Sequence, residues 1–158
     1  MPKLQVSQDK ILKLTNALIY EVQTEELEDL NANMEQMENY IRVKGAQPVG
    51  PLIQYTNVTL DEQGQAQLQI KMIRQCSNFL HSVEQPYRMD SVLRVKSCMY
   101  VRYTGPEEKL KFAYDKINLA SFEEEIPLRG DSYTIFVDKK EEDCMIADVF
   151  MPKADGAD

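Results

Sequence analysis

The fold is decided by the stretch Tyr103-Thr104-Gly105-Pro106-Glu107-Glu108-Lys109-Leu110. An aromatic-rich segment ends at Tyr103, and a proline is favoured at the first position of a helix because its φ is already helical. The two carboxylates that follow suit the positive end of a helix dipole. The stretch therefore predicts a strand running into a helix, whose buried stripe is the apolar set Leu110, Ala113, Tyr114, Ile117 and Ala120.

A longer helix is predicted upstream, over residues 25–44. Apolar residues recur there at steps of three and four, which places them on one helix face: Leu27, Leu30, Met34, Met37 and Ile41. Gly45 favours a helix end, and Pro48 prevents continuation. Residues 16–23 before this helix and 51–56 after it are rich in strand formers. Residues 65–74 alternate polar and apolar side chains, which is typical of a half-buried antiparallel strand.

The same order recurs after an irregular connection at 77–90. A strand is predicted over 92–103, with a bulge near Lys96-Ser97 because its apolar residues do not keep one phase. The second helix follows it, and strands at 133–137 and 145–150 then form a hairpin. The repeated order of strand, helix, strand and strand predicts an α+β fold of duplicated βαββ units. We assign an N-terminal extension to 1–15, a single domain to 16–153 and a mobile tail to 154–158.

The composition is that of a soluble globular chain of 158 residues with a net charge of −8. An acidic chain does not attract the phosphate backbone of nucleic acid, so we expect no direct nucleic-acid binding. Its apolar runs are far shorter than a membrane span, and its N-terminus lacks the features of a secretory signal. We therefore expect no membrane association.

Cysteine and histidine usage narrows the chemistry further. Three cysteines are an odd number without metal-type spacing, so we expect a reducing, cytoplasmic location. The single histidine, His81, argues against a metal site or a catalytic triad built on imidazoles. The sequence contains no phosphate-binding loop and no nucleophile-elbow motif. We therefore expect neither a metal nor a cofactor.

The stretch that ends at Leu110 resembles the start of the second helix in the gyrase-inhibitor-like (GyrI-like) effector-binding superfamily. Two further segments share this likeness. Gly50-Pro51-Leu52-Ile53-Gln54-Tyr55 resembles a Gly-Pro strand that ends in an aromatic, and Asp148-Val149-Phe150-Met151-Pro152 resembles an acidic, apolar closing strand. The likeness spans roughly 16–153. It implies a bacterial protein with an SHS2/GyrI-like fold, in which two βαββ repeats form a curved antiparallel sheet with two helices.

The resemblance also implies a ligand cleft, and the residues that match its lining are Asp131, Tyr133, Asp148, Tyr103 and Tyr55. In related proteins the cleft takes small lipophilic or cationic molecules, and a buried acid with aromatic neighbours receives the positive charge. Asp131 stands where the family usually has glutamate, so its carboxylate is one methylene shorter. The chain has no tryptophan, so an aromatic clamp would consist of tyrosine and phenylalanine.

Each of these residues also has an ordinary structural explanation. Asp131 follows a glycine and suits a turn. Tyr133 fits a core or an interface as well as a ligand contact. Asp148 lies in an apolar strand, so its side chain faces either the cleft or solvent. For Tyr103 and Tyr55 the same two interpretations stay open: a structural role or a contact with the ligand.

The leading hypothesis is a stand-alone cytoplasmic domain that senses or sequesters a small molecule without turnover. Residues 1–15 are too few for a helix-turn-helix segment, so a role in transcription would need a partner. One alternative is a hydrolase of a small electrophilic or strained compound, in which a carboxylate and a tyrosine activate water. The other is a gyrase-inhibitor-like module that binds a protein partner without a ligand, since an acidic surface suits a basic partner.

Overall fold

The computed structural model describes residues 5–22, 30–141 and 144–154. They divide into two units: the first is Lys13–Leu93, and the second is Met1–Leu12 together with Arg94–Asp158. The elements in chain order are β1 (Ser7–Val22), α1 (Leu30–Val43), β2 (Pro48–Leu60), β3 (Ala66–Cys76), β4 (Tyr87–Gly105), a 3-10 turn (Glu107–Lys109), α2 (Lys111–Glu123), β5 (Ser132–Glu141) and β6 (Cys144–Pro152).

The first unit is a three-stranded antiparallel sheet with α1 packed against one face. β3 is the central strand and pairs with β1 on one side and β2 on the other. Alternate residues of β1, including Leu18, Tyr20 and Val22, form one buried cluster with Met37 and Ile41 of α1. Met37 and Ile41 have no exposed surface and Met34 packs against the cluster, so the apolar stripe predicted for this helix is confirmed at these three residues.

The second unit has α2 on one face of its own three strands. β6 is the central strand and pairs with β4 and β5. Ala113 and Ile117 of α2 are fully buried in a cluster with Val101, Tyr103 and Val149. Three more residues of the predicted stripe pack against this cluster, so the stripe is confirmed: Leu110, Tyr114 and Ala120.

Each unit therefore runs strand, helix, strand, strand, and its last strand lies in the middle of its three. The predicted α+β class, with antiparallel strands and two helices, is confirmed. An origin of the units by duplication stays a prediction, as does the single domain over 16–153.

Several element boundaries differ from the predicted ones. β1 begins at Ser7, so most of the predicted N-terminal extension belongs to a strand. β4 begins at Tyr87, which shortens the irregular connection, and both hairpin strands are longer than predicted. Ser97 has a left-handed φ of +55°, at the place where a bulge was expected. The predicted start of the first helix at 25–29 and the tail at 155–158 lie outside the described residues.

Gly105 is required by a close contact at the start of the α2 segment. A Cβ added to it would lie 2.8 Å from Tyr103 Oη, and its φ is +155°. The Tyr103 hydroxyl donates a hydrogen bond to the Pro106 carbonyl at 2.5 Å. The absence of a side chain at Gly105 therefore leaves room for the tyrosine that anchors the Gly-Pro turn.

We expect Gly105→Ala to lower the free energy of unfolding by about 1 to 3 kcal/mol, through the contact with Tyr103 and the strained φ. Gly64→Ala is the matched control, because Gly64 also has a positive φ (+79°) but no atom within 4 Å of the added Cβ. Its loss should be only about 1 kcal/mol. Urea unfolding measures both values. Gly105→Ala should lose less stability in a Tyr103→Phe background, and an equal loss there would contradict the contact.

Candidate functional site

The sheet of the second unit has a face opposite α2 that carries polar and aromatic side chains. Side chains alternate along a strand, so the neighbours of the buried Val101 and Val149 point away from the helix. The strand register aligns these neighbours in rows across β4, β6 and β5. We name this surface the Asp148 face, and its residues are Tyr100, Arg102, Tyr133, Ile135, Asp148 and Phe150.

Asp148 is buried on this face and accepts three hydrogen bonds. Arg102 donates from Nε to Oδ1 at 2.8 Å and from Nη2 to Oδ2 at 2.9 Å, which makes a bidentate ion pair. The Tyr100 hydroxyl donates to Oδ1 at 2.7 Å. The Arg102 side chain is 54% exposed, so the pair lies at the border between protein and solvent. The carboxylate charge is thus already matched by a guanidinium.

This network also changes the protonation of its two donors. Burial raises the pKa of Tyr100 to about 12, and the hydrogen bond and charge of Asp148 act in the same direction. The hydrogen bond to Asp148 likewise raises the pKa of the Arg102 guanidinium. Tyr100 is therefore a proton donor at neutral pH rather than a base.

Asp131 is a second buried carboxylate with an arginine partner. Arg129 donates from Nε to Oδ1 at 2.9 Å and from Nη2 to Oδ2 at 2.6 Å. Burial, followed by the negative charge of Asp131, raises the pKa of Tyr133. Burial raises the pKa of the Cys98 thiol to about 11, and Asp131 contributes to that rise. Asp131 therefore lies close enough to Tyr133 and Cys98 to influence both.

The predicted site residues occupy different environments. Tyr133 and Asp148 share the Asp148 face, and Asp131 comes two residues before Tyr133. Tyr103 belongs to the buried cluster beneath α2, so strand alternation places it on the other side of the same sheet. Tyr55 lies half-buried in β2 of the first unit, with Lys71 Nζ 5.4 Å from its ring centroid.

Tyr100 and Arg102 are partners of Asp148 that the sequence did not single out. The alternation of side chains between the two faces of the sheet is interrupted in β4 near Ser97. The apolar residues before Ser97 therefore do not show which residues after it share a face. After that point Met99 and Val101 are fully buried, and Tyr100 and Arg102 alternate with them. The sequence did contain one signal for this pair. Arg102 follows Tyr100 by two residues, so both share a face of β4, and the partner strand β6 contains Asp148.

A second candidate site lies within the first unit. A cavity of about 750 Å³ is lined by Ile19, Glu21, Lys71, Gln85, Pro86, Tyr87 and Arg88, and we name it the Glu21 pocket. Glu21 of β1 pairs in register with Lys71 of β3. Over the described part of the chain, Glu21 makes no ion pair. This volume is typical of sites that enclose a small organic molecule.

The chemistry of both candidate sites is that of carboxylates, guanidinium groups and phenols. Among the described residues, no group of three or more His, Cys, Asp or Glu is arranged to hold a metal ion. Cys76 and Cys98 are buried free thiols, and Cys144 is a half-buried one. In the same part of the chain, every helix is too short or too polar to cross a membrane.

Comparison with solved structures identifies similar folds at low sequence identity. The C-terminal domain of EcmrR matches with a TM-score of 0.63 and 13% identity, over 95% of this chain and 97% of that one. EcmrR in a DNA complex matches with a TM-score of 0.62 and 12% identity over 95% of this chain, which spans only 57% of the EcmrR chain. SAV2435 bound to tetraphenylphosphonium gives a TM-score of 0.51 and 12% identity, over 96% of this chain and 94% of that one.

The chain has the GyrI-like fold. The resemblance drawn from its three motifs is confirmed at the level of the fold. No protein-family model matches this sequence, and no curated protein does either. At identities of 12 to 13%, these neighbours establish the architecture and leave the function of the site to be argued from its own residues.

We expect Tyr100 to titrate near pH 12 instead of its ordinary value of 10.0. Because the folded pKa is raised, the stabilisation from protonated Tyr100 is fully present below about pH 10 and is lost as the pH rises towards 12. The absorbance titration of the wild type minus that of Tyr100→Phe isolates this group among the eight tyrosines.

Asp148→Asn should lower the pH of the Tyr100 transition, since it removes the hydrogen bond and the charge of Asp148, while burial still raises the pKa of Tyr100 and Arg102 lowers it. Asp131→Asn is the matched control, because its carboxylate does not contact Tyr100, and it should leave this transition in place. Circular dichroism over the same pH range checks that each variant stays folded. An unchanged transition in Asp148→Asn would show that the hydrogen bond does not control this phenol.

Proposed function

We propose that this chain is a small-molecule-binding domain that takes an amphipathic organic cation into the Glu21 pocket. The observation that carries the proposal is a cavity of about 750 Å³ with a carboxylate in its lining that makes no ion pair within the described residues. One neighbour supports a binding role, because SAV2435 is described as bound to tetraphenylphosphonium. The GyrI-like resemblance predicts the same ligand class.

Glu21 is a better partner for a cationic ligand than Asp131 or Asp148. Asp131 and Asp148 each accept two hydrogen bonds from an arginine, so a cationic ligand must compete with a guanidinium already in place. Glu21 has no such competitor among the described residues. Its carboxylate can therefore attract a cation without breaking an existing ion pair.

The remaining wall of the pocket suits the apolar part of such a ligand. Ile19, Pro86 and Tyr87 contribute aliphatic and aromatic surface. The Tyr87 ring stacks on Tyr40 with 4.4 Å between centroids and lies 5.5 Å from the Tyr20 ring. Stacking holds this aromatic in place before a ligand arrives, which lowers the entropy lost on binding.

Lys71 and Arg88 also line the Glu21 pocket and define the alternative ligand, an amphipathic anion. The Lys71 ammonium lies 5.4 Å from the Tyr55 ring centroid, so its charge is partly matched by an aromatic face. The net charge of −8 also raises the local concentration of cations around the protein. Both facts favour the cation as the ligand.

The predicted contacts of Asp131, Tyr133 and Asp148 with a ligand stay a second proposed location. Hydrolysis is the alternative function at that location. A neighbour from Listeria innocua is described as a hydrolase encoded by lin2189. It matches with a TM-score of 0.61 and 11% identity, over 96% of this chain and 91% of that one. Both Asp148 oxygens already accept hydrogen bonds, and Tyr100 stays protonated, so this pair is poorly placed to take a proton from water. We therefore propose binding without turnover, in a cytoplasmic protein.

Thermal unfolding in the presence of tetraphenylphosphonium tests the proposal. A ligand at about 100 times its dissociation constant stabilises the folded protein by roughly 2.7 kcal/mol, which gives a clear rise in Tm. Triphenylphosphine oxide is the uncharged probe, because it keeps three of the four phenyl rings and carries no net charge. We expect the cation to produce the larger shift, and no shift with any lipophilic ion would contradict small-molecule binding.

Three carboxamide variants locate the site by calorimetry. Glu21→Gln should weaken tetraphenylphosphonium binding about two- to fivefold, because a charge contact of an exposed carboxylate contributes up to about 1 kcal/mol. Asp131→Asn and Asp148→Asn should bind like the wild type. The reverse pattern would move the site to the Asp148 face, and tighter binding of an aryl sulfonate that is lost in Lys71→Gln would replace the cation with an anion.

A further inference from the structure

Helix α2 exposes large apolar side chains near its C-terminal end. Leu119 and Phe122 are three residues apart, so they lie on one side of the helix. Their exposed fractions are 51% and 82%, whereas Ala113 and Ile117 on the core side have none. The helix therefore presents a second apolar face that the described residues of its unit leave exposed.

A hollow adjoins this face. It has a volume of about 620 Å³ and is lined by Ser121, Phe122, Glu123, Glu125, Ile126 and Pro127. The chain after the helix is held close to it, because the Ile126 amide donates to the Ser121 carbonyl at 2.9 Å. The hollow is thus bounded by a fixed turn and is large enough for one or two apolar side chains of another protein.

The charges around the hollow all favour a cation. The carboxylates of Glu123 and Glu125 lie in its lining, and Phe122 offers an aromatic face. The C-terminus of a helix carries partial negative charge, and the last turn of α2 contains no basic residue. Three independent features of one surface therefore attract positive charge.

The end of α1 shows the ordinary arrangement. Its last turn contains Arg42, and Lys44 follows directly, so basic side chains match the helix dipole there. At the end of α2 the sequence Glu123-Glu124-Glu125 has the opposite sign. Glu124 is engaged by the Gln8 side chain at 2.6 Å, which leaves Glu123 and Glu125 beside the hollow.

We propose that this surface docks a basic amphipathic segment of a partner protein. We name it the Phe122 patch, and its residues are Leu119, Phe122, Glu123, Glu125, Ile126 and Pro127. An apolar side chain of the partner enters the hollow against Phe122, and a lysine or arginine beside it contacts Glu123 and Glu125. This site is separate from the Glu21 pocket and does not depend on ligand binding there.

Charge complementarity excludes the other occupants. A second copy of the chain would bring the same carboxylates together, and like charges at an interface oppose association. Nucleic acid and anionic lipid surfaces are repelled for the same reason. A basic, partly apolar polypeptide is the occupant that satisfies both the apolar and the acidic parts of the patch.

Fluorescence anisotropy of the full chain with a labelled amphipathic Leu/Lys peptide tests this proposal. The matched probe is the same peptide with glutamate in place of lysine. Phe122→Ala should weaken binding of the Leu/Lys peptide about tenfold, as expected for an aromatic anchor. Glu123→Gln combined with Glu125→Gln should weaken it several-fold and reduce its dependence on salt between about 50 and about 300 mM.

Val43→Ala is the control variant, since Val43 is also 82% exposed at the end of a helix but has basic neighbours. It should bind like the wild type. Equal weakening by Val43→Ala, equal binding of the glutamate peptide, or binding that ignores Phe122→Ala would each overturn the proposal. A dimer in light scattering that dissociates in Phe122→Ala would also overturn it, because a second copy would then occupy the patch.

Discussion

The two-residue alternation of side chains along a strand is the constraint on which the rest of this structure depends. Each unit has one helix for three strands, so the helix buries one face of the sheet and strand geometry assigns every other residue to the opposite face. Tyr100 and Tyr103 are only three residues apart, yet they lie on opposite faces. Tyr103 supports the α2 core, and Tyr100 donates to Asp148.

The burial of Asp131 and Asp148 makes both carboxylates poor partners for a cationic ligand. A buried carboxylate needs a partner, and Asp131 and Asp148 each have a bidentate arginine. A charge-assisted hydrogen bond contributes about 1.5 to 3 kcal/mol, less where the arginine is exposed, as both are in part. A cation-π contact contributes only about 0.5 to 2 kcal/mol. A ligand cation therefore gains little by displacing either arginine.

The helices and the order of the strands could be predicted because their signals are local. The stripes that contain Met37 and Ile117 follow from helical spacing, and the turn at Gly105-Pro106 follows from backbone preferences. The candidate site could be predicted only in part, since hydrogen-bonded partners are set by register. Arg102 meets Asp148 because β4 pairs with β6 in one register downstream of the left-handed Ser97, and no local pattern fixes that register.

The Glu21 pocket was missed for a related reason. Glu21 is the next-to-last residue of β1, where an acidic side chain is typical of a solvated strand end. Pro86, Tyr87 and Arg88 reach the cavity from the connection into β4 and the start of that strand. A cavity formed by three strands and a connection has no periodic signature, because its residues are brought together by tertiary structure alone.

The C-terminal ends of α1 and α2 differ in charge: the last turn of α1 contains Arg42, whereas that of α2 contains no basic residue. Tertiary packing allows the end of α2 to depart from the usual preference for basic residues. An acidic residue at a helix C-terminus costs about 0.3 to 1 kcal/mol, so Glu123 and its neighbours make α2 weaker in isolation. Helices of this length owe most of their stability to the packing of a buried face, and Ala113 and Ile117 supply that here. Because the core holds α2 in place, its end can carry a charge that opposes the dipole. Negative charge beside the exposed Phe122 therefore favours the binding of a partner and does not stabilise the helix.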